Sequence, residues 1–257
     1  MTYSIGMCVI VRDESHYLLE WLDYYSMLGI EVFYIYDNNS ALPVDRLLDD
    51  YNSTGELVLR SVTGVWPQLE AYNHCLVNDG RDCQWLGFLD IDEFLVLQSP
   101  NCLRDFLSHY SGYGGVGINW VMYGPGSHDR RPAGSQIRNY TCRLPIENPV
   151  NRHIKSFVQP AHVLDIPNPH FANYKKGYFC VNEIFNYIEG AFSNISINKA
   201  RINHYFTRSK SDFTEKTRKS LGGPNPRSME LFEFYRAEGI IKDNAAVDCL
   251  NRLLCDS

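Results

Sequence analysis

The chain has 257 residues, with 24 lysines and arginines against 30 aspartates and glutamates, and a formal net charge of −6 at pH 7. This balance argues against a nucleic-acid-binding protein, because contact with a phosphate backbone needs a basic face. With 44% hydrophobic and 21% charged residues, the composition is that of an ordinary globular protein, long enough for one large α/β domain or two small ones.

The sequence carries no recognisable membrane or export signal. No apolar run reaches the about 18 residues that a membrane span requires. The first residues show neither the cationic nor the apolar stretch of a secretory signal. We therefore expect a cytoplasmic protein without an integral membrane span, with peripheral attachment to the inner face of the membrane as an open alternative.

Short apolar runs alternate with amphipathic stretches in the first third of the chain. Strands are predicted at 7–11, 32–36, 57–59 and 85–89, and helices at 14–28, 43–53 and 68–79. This alternation predicts an α/β fold with a mostly parallel sheet and helices on both faces.

The rest of the chain has a different pattern. Residues 112–175 are rich in glycine, proline, asparagine and histidine, which predicts turns and long loops of the kind that cover binding sites. Helical patterns return at 209–220, 227–238 and 243–254, and a Gly-Gly-Pro-Asn-Pro segment at 222–226 separates the first two.

Polar clusters follow three of the predicted strands. Arg12-Asp13-Glu14 follows the first strand, Asp37-Asn38-Asn39-Ser40 the second, and Asp90-Ile91-Asp92 the fourth. Ligands of such sheets bind beyond the carboxyl ends of the strands, so these clusters predict a site at one edge of the sheet.

Asp90 and Asp92 are the strongest candidates for metal ligands. In an extended chain, residues two apart point to the same side, so the two carboxylates would share one divalent cation. Oxygen ligands suit Mg²⁺ or Mn²⁺, which retain positions for water and substrate phosphates. The alternative is a pair of solvated carboxylates in a turn.

The segment from Phe88 to Phe94 resembles the metal motif of the family 92 glycosyltransferases and their bacterial relatives. Other segments are similar to that family in the same order, over about residues 5–220. They are Val9 to Glu14, Leu19 to Leu22, Phe33 to Ser40, Gln68 with Tyr72 to Cys75, and Ile202 to Tyr205 with Ser209, Lys210, Ser211 and Lys216.

This resemblance implies a single GT-A domain over residues 1–257, with a Rossmann-like central sheet. Within it we expect a nucleotide-binding half at 1–98, a loop-rich acceptor half at 99–220 and C-terminal helices at 221–257.

The resemblance also implies roles for individual residues. Asp92 and His204 would bind the metal ion, and Asp90 would contact the metal ion or the ribose. Lys210 would neutralise the diphosphate. The nucleotide pocket would be formed by Arg12, Glu14, Asp37, Gln68, Asn73 and Asp90, with Asp37 receiving the uracil base.

The implied reaction is metal-dependent transfer of a hexose from a UDP-sugar to a hydroxyl group of a glycan or glycolipid, and the resemblance suggests galactose. An inverting reaction needs a carboxylate to accept the hydroxyl proton. The candidates are Asp129, Glu147, Asp165 and Glu183, of which we select Glu183. Trp120 and Tyr123 would either stack on a sugar or pack in the core.

Two other functions stay open. One is a catalytically silent protein that binds nucleotide sugars. The other is a phosphatase-like hydrolase, because Leu89-Asp90-Ile91-Asp92 also resembles an aspartate nucleophile followed by an acid. Phe94 and the three β-α units before the motif argue against the hydrolase.

Overall fold

The computed structural model of the protein describes residues 3–64, 67–98, 102–220 and 227–256. The separator predicted at 222–226 lies outside the described residues. Within the described ranges, no helix is both long and apolar enough to cross a lipid bilayer.

The first part of the chain contains all four predicted strands and an additional one. Its elements are β1 Tyr3–Val11, α1 Ser15–Met27, β2 Val32–Asp37, α2 Val44–Leu47, β3 Glu56–Ser61, α3 Gln68–His74, β4 Cys83–Phe88 and β5 Glu93–Leu97. A π-helical turn, Cys75–Asp79, extends α3. The helix predicted at 43–53 was too long, because residues 49–55 are, apart from Tyr51, of types that favour turns.

The second part has more strands than we expected. Its elements are α4 Leu103–Ser108, β6 Gly115–Met122, α5 Gln136–Asn139, β7 Cys142–Arg143, β8 Ile154–Val158, β9 Val163–Asn168, β10 Phe171–Tyr174, β11 Cys180–Val181, β12 Tyr187–Ile188, β13 Ala200–His204, α6 Lys210–Ser220, α7 Met229–Glu238, β14 Ile241–Lys242 and α8 Ala245–Asp256. The prediction that residues 112–175 form turns and loops was therefore partly wrong.

Glycines caused that error. Gly115 and Gly117 lie inside the buried strand β6, where a Cβ atom has no room. A Cβ on Gly117 would meet Ile154 Cδ1 and Ile188 Cδ1, both at 2.7 Å. These glycines permit close packing against the sheet and do not form turns.

The predicted α/β fold with a mostly parallel sheet is confirmed. Ten strands form the sheet, in the order β12-β11-β6-β8-β4-β1-β2-β3, and β13 pairs with both β5 and β6. Strands β4, β1, β2 and β3 are parallel neighbours, whereas β8 is antiparallel to β4 and β6. The strand order reverses at β1, so the carboxyl ends of β1 and β4 border the expected ligand crevice.

Helix α1 fixes the chain that leaves β4. Trp21 Nε1 donates hydrogen bonds to the carbonyl oxygens of Asp90 at 3.1 Å and Glu93 at 3.2 Å. The Tyr25 hydroxyl donates to the Glu93 carbonyl at 3.0 Å, and the Tyr24 hydroxyl to the Leu95 carbonyl at 2.6 Å. These three aromatic side chains are fully buried, so they hold the backbone of the acidic segment from behind.

Gly87 offers a test of this packing. A Cβ there would meet Phe157 Cε1 at 2.6 Å and Met7 Sδ at 2.8 Å, so we expect Gly87→Ala to lower the free energy of unfolding by about 1–3 kcal/mol. Gly112→Ala is the control, because no atom lies within 4 Å of its added Cβ. Urea unfolding measures both variants, and equal stability for the two would contradict the packing argument.

Candidate active site

The two predicted metal ligands lie in a turn at the carboxyl end of β4. The Glu93 N–H donates to the Asp90 carbonyl at 3.0 Å, which closes the segment from Asp90 to Glu93. Our assumption of an extended chain was therefore wrong. The two aspartates contact different cations, although they lie close enough for the charge of Asp92 to act on Asp90.

Asp90 is fixed by three side chains. Its Oδ1 accepts from Gln68 Nε2 at 2.8 Å and from the Tyr72 hydroxyl at 3.3 Å, and its Oδ2 accepts from Lys155 Nζ at 2.9 Å. Burial alone would raise the pKa of Asp90, but the charge of Lys155 holds that pKa below its usual value. Gln68, which we predicted to line the nucleotide pocket, therefore holds the carboxylate of Asp90 in the structure.

Lys155 also contacts Glu93, with 3.3 Å between Nζ and Oε2. Its side chain is completely buried. Burial alone would lower the pKa of Lys155, but Asp90 and Glu93 together raise it. Burial raises the pKa of Glu93, despite the nearby ammonium.

Asp92 has a different pair of partners. One carboxylate oxygen accepts a hydrogen bond from Lys216 Nζ, and the other lies 3.5 Å from His204 Nε2. Burial opposes ionisation of Asp92, but the charge of Lys216 holds its pKa well below the usual value. Burial lowers the pKa of His204, so its imidazole is neutral near pH 7.

Arg208 completes the buried charges. Its guanidinium donates to Gln136 and Glu14 and lies 3.7 Å from the centre of the Tyr17 ring. The residue is 2% exposed. Glu14, which we predicted to line the nucleotide pocket, is paired with Arg208 in the structure.

Trp120 links three histidines beside the acidic turn. Its ring centre lies 4.3 Å from that of His204, 4.8 Å from His153 and 5.0 Å from His170. The Nδ1 atoms of His153 and His170 lie 2.9 and 2.8 Å from the carbonyl oxygens of Val150 and Ile154. A carbonyl only accepts, so each Nδ1 carries a proton, and the lowered pKa of His170 leaves its Nε2 with a lone pair.

Several predicted site residues lie elsewhere. Lys210 is half-exposed, with Nζ 3.9 Å from Glu233, so Lys216 is the lysine that reaches the acidic turn. Asn73 joins α3 to β9, because its side chain donates to the Ile166 carbonyl and accepts from the Ile166 N–H, both at 2.8 Å.

Two further residues predicted to line the nucleotide pocket, Asp37 and Arg12, make contacts within the protein at the ends of β2 and β1. Asp37 accepts from the backbone N–H groups of Ser40 at 3.0 Å and Val44 at 3.1 Å, so it holds the turn after β2. The Arg12 side chain is exposed, and its backbone carbonyl accepts from Lys219 Nζ at 3.0 Å.

Glu183 is a structural anchor. Its carboxylate accepts from the Ser196 hydroxyl and from the backbone N–H groups of Asn198, Lys199 and Ala200, at 2.7 to 2.8 Å. The residue is 1% exposed. These four hydrogen bonds hold the strand entry into β13 and leave the carboxylate no free access to a substrate.

The other proposed bases lie on the surface. Asp129 pairs with Arg236 at 2.7 Å, Asp165 accepts from Asn173 at 2.6 Å, and Glu147 is exposed. Tyr123 and Trp120 are both buried in the hydrophobic core, and the Trp120 ring also contacts that of His204.

The donor set fits a divalent cation only in part. Among the described residues, no group of three or more His, Cys, Asp or Glu side chains is arranged to hold a metal ion. Asp92 and His204 come together, but Asp90 faces Lys155 and Gln68. An ionised Asp92 and a neutral His204 are the forms that metal binding requires.

Sequence reasoning gave too little weight to the cations. Our sequence analysis assigned no role to Lys155, although a lone lysine in the largely apolar run Ile154-Lys155-Ser156-Phe157-Val158 is a usable signal. Lys216 is among the residues after Ile202 that resemble the family, but nothing in that segment indicates whether Lys210 or Lys216 reaches the acidic turn. Gln136 and Tyr17 give no sequence signal.

Comparison with known proteins gives consistent matches. The model of glycosyltransferase family 92 matches residues 3–235. A glycosyltransferase family 92 protein of Oryza sativa subsp. japonica is 31% identical over 210 residues, which are 79% of this chain and 33% of the relative. One of Ricinus communis is 29% identical over 218 residues, which are 79% of this chain and 35% of the relative.

The chain thus spans about a third of the length of these relatives. Among solved structures, HddC of Yersinia pseudotuberculosis is similar over 94% of this chain and 89% of its own, at 11% identity and a TM-score of 0.37.

Glu183→Gln separates the structural role of Glu183 from a catalytic one. The amide group would face backbone N–H donors, so we expect a loss of about 2 kcal/mol or more in the free energy of unfolding. Urea unfolding measures the change, with the exposed neighbour Glu189→Gln as control. Unchanged stability combined with abolished sugar transfer would restore Glu183 as the base.

His170 predicts a pH dependence of stability. Burial and the charge of Lys155 lower its pKa from 6.5 to about 3, so below pH 6.5 the unfolded chain binds a proton that the folded protein does not. Stability is therefore complete above pH 6.5 and falls with falling pH, by up to about 1.4 kcal/mol per pH unit.

Denaturant unfolding between pH 7 and pH 5 measures this slope. We expect His170→Asn to reduce it, and the exposed His16→Asn to leave it unchanged. Identical slopes for wild type and His170→Asn would contradict the burial of a neutral His170.

Proposed function

Because the chain belongs to glycosyltransferase family 92, we propose that it transfers a hexose from a UDP-sugar to a hydroxyl group of a glycan acceptor. The observation that carries this proposal is the buried pair of Asp92 and His204 beside Lys216, at the carboxyl end of β4. Family membership gives the reaction class, and the crevice between β1 and β4 is where such a sheet binds a nucleotide.

The leaving group of the reaction is a nucleoside diphosphate, whose charge must be stabilised as the sugar departs. Asp92 and His204 would hold a Mn²⁺ or Mg²⁺ ion, which supplies Lewis-acid stabilisation to the diphosphate when bound. Lys216 and Arg208 add fixed positive charge at the same place, in the role that we first gave to Lys210. Galactose stays our choice of sugar, from the family resemblance alone.

The acceptor hydroxyl must lose a proton during an inverting transfer. Glu183 has no free oxygen for this step, whereas His153 donates from Nδ1 to the Val150 carbonyl and has Nε2 as its remaining ring nitrogen beside Trp120. We assign the proton to His153 Nε2, while the new bond forms between the acceptor oxygen and the anomeric carbon. The bond from the anomeric carbon to the diphosphate oxygen breaks, and its electron pair leaves with the diphosphate.

Asp92→Asn tests the proposal. The thermal stability of the wild type is measured with each of a panel of nucleotide sugars, with and without Mn²⁺. We expect only a uridine donor together with the ion to stabilise the protein. At a ligand concentration of 100 times the Kd, this stabilisation is about 2.7 kcal/mol. Asp92→Asn should lose this stabilisation and slow UDP release by about 10²-fold or more. Asp82→Asn, in an exposed pair with Arg81, is the control.

Other outcomes identify the rival functions. Uridine-donor binding without transfer or hydrolysis indicates a silent nucleotide-sugar binder. Phosphate release from simple phosphate esters indicates a hydrolase. Undiminished transfer by Asp92→Asn contradicts the proposed site.

A further inference from the structure

The β11–β12 hairpin and the chain before it expose an unusual set of large apolar side chains. They are 38% to 64% exposed and together form what we call the aromatic surface: Tyr178, Phe179, Ile184, Phe185 and Tyr187. Single exposed apolar residues are ordinary, but five within ten residues of one hairpin mark an interaction surface.

The rings of this surface touch one another. The Phe179 ring centre lies 5.5 Å from that of Tyr113 and 5.7 Å from that of Tyr187. Tyr113 also lies 6.1 Å from Phe185, so it joins both parts of the hairpin. The rings of Phe179, Phe185 and Tyr187 are therefore connected through Tyr113, whereas the Tyr178 ring stacks on His162 beside them.

Phe185 lies in the turn of the hairpin, where its backbone is strained and its side chain is 42% exposed. Phe185 has a φ of 66°, a conformation that bulky side chains rarely adopt. Asn182 fixes this turn, because its Oδ1 accepts from the N–H groups of Ile184 at 3.1 Å and Asn186 at 2.9 Å. Backbone strain that presents an apolar ring to solvent points to a function for that ring.

The charges around the patch are mainly positive, in a chain whose net charge is −6. Lys175, Lys176 and Lys199 are exposed, and Lys199 Nζ lies 4.8 Å from the centre of the Phe185 ring. Glu189 is the exposed carboxylate of the hairpin, whereas Glu183 is buried and fully hydrogen-bonded.

This combination favours one kind of partner. Stacking on a sugar needs a free ring face, but Phe185 is stacked on Tyr110 at 5.0 Å and covered by Lys199. Self-pairing through the patch would bring its lysines against their own copies. Exposed tyrosine, phenylalanine and lysine together fit the headgroup region of a bilayer that contains anionic lipids.

We propose that the aromatic surface attaches the protein to anionic membranes, with Phe185 and Tyr187 entering the headgroup region and the three lysines facing lipid phosphates. In the proposed function the acceptor binds near His153, and the chain that leaves β12 leads there. Phe192, also half-exposed, lies 4.5 Å from His153, which stacks on Trp120. Attachment there would bring the site to an acceptor carried in the membrane.

Co-sedimentation with vesicles tests the attachment without donor or acceptor, so its result is independent of the transfer reaction. Wild type should bind vesicles of equimolar phosphatidylcholine and phosphatidylserine, and bind vesicles of phosphatidylcholine alone more weakly. The double variant Phe185→Asn, Tyr187→Ser should bind the anionic vesicles at least about tenfold more weakly. The reason is that two aromatic rings are no longer transferred from water into the membrane. Asparagine tolerates the backbone conformation of residue 185, so the fold is retained, which circular dichroism checks.

The controls separate charge from apolar contact. Lys175→Glu with Lys176→Glu should remove the preference for phosphatidylserine. Ile240→Asn, at an apolar residue that is 74% exposed elsewhere, should bind like wild type.

Equal vesicle binding by the ring variant and wild type would overturn the proposal, as would no binding by wild type. A dimer of wild type that the ring variant loses in analytical ultracentrifugation would also overturn it, because the surface would then join two copies.

Discussion

Lys155 is a fully buried ammonium group, and the turn with the acidic residues depends on it. A buried charge costs several kcal/mol unless close partners compensate it, and Asp90 and Glu93 are those partners. Without Lys155, the fully buried carboxylate of Glu93 and the partly exposed one of Asp90 would face each other with Asp92 nearby. Strand β8 supplies this lysine because it lies between β4 and β6, in the middle of the sheet.

The same logic extends across the whole site. Its carboxylates, Glu14, Asp90, Asp92 and Glu93, come from the first 93 residues, whereas its cations, Lys155, Arg208 and Lys216, come from residue 155 onwards. The predicted nucleotide-binding half at 1–98 is therefore electrostatically incomplete by itself. Each of these acids obtains a cationic partner from the other part of the chain, so the two parts form one ionic cluster.

The predictable features were those encoded by local patterns. The apolar runs predicted the first four strands, and the polar clusters at the strand ends predicted where the acidic residues lie. Both features depend only on residues that are neighbours in the sequence. The partners of Asp90 and Asp92 were not predictable from spacing, because Lys155 and Lys216 reach them only through the sheet order. Glu183 misled us for a related reason, since its partners are backbone N–H groups that no side-chain pattern reveals.

Strand β13 has a consequence for the order in which the protein can be completed during synthesis. Within the described residues, β5 pairs with β13 alone, and β13 also pairs with β6. A nascent chain that has not reached Ala200 thus leaves β5 as an apolar strand without a hydrogen-bonded neighbour. Final closure of the sheet is a late, non-local event, which makes folding slow and leaves incomplete chains prone to aggregation.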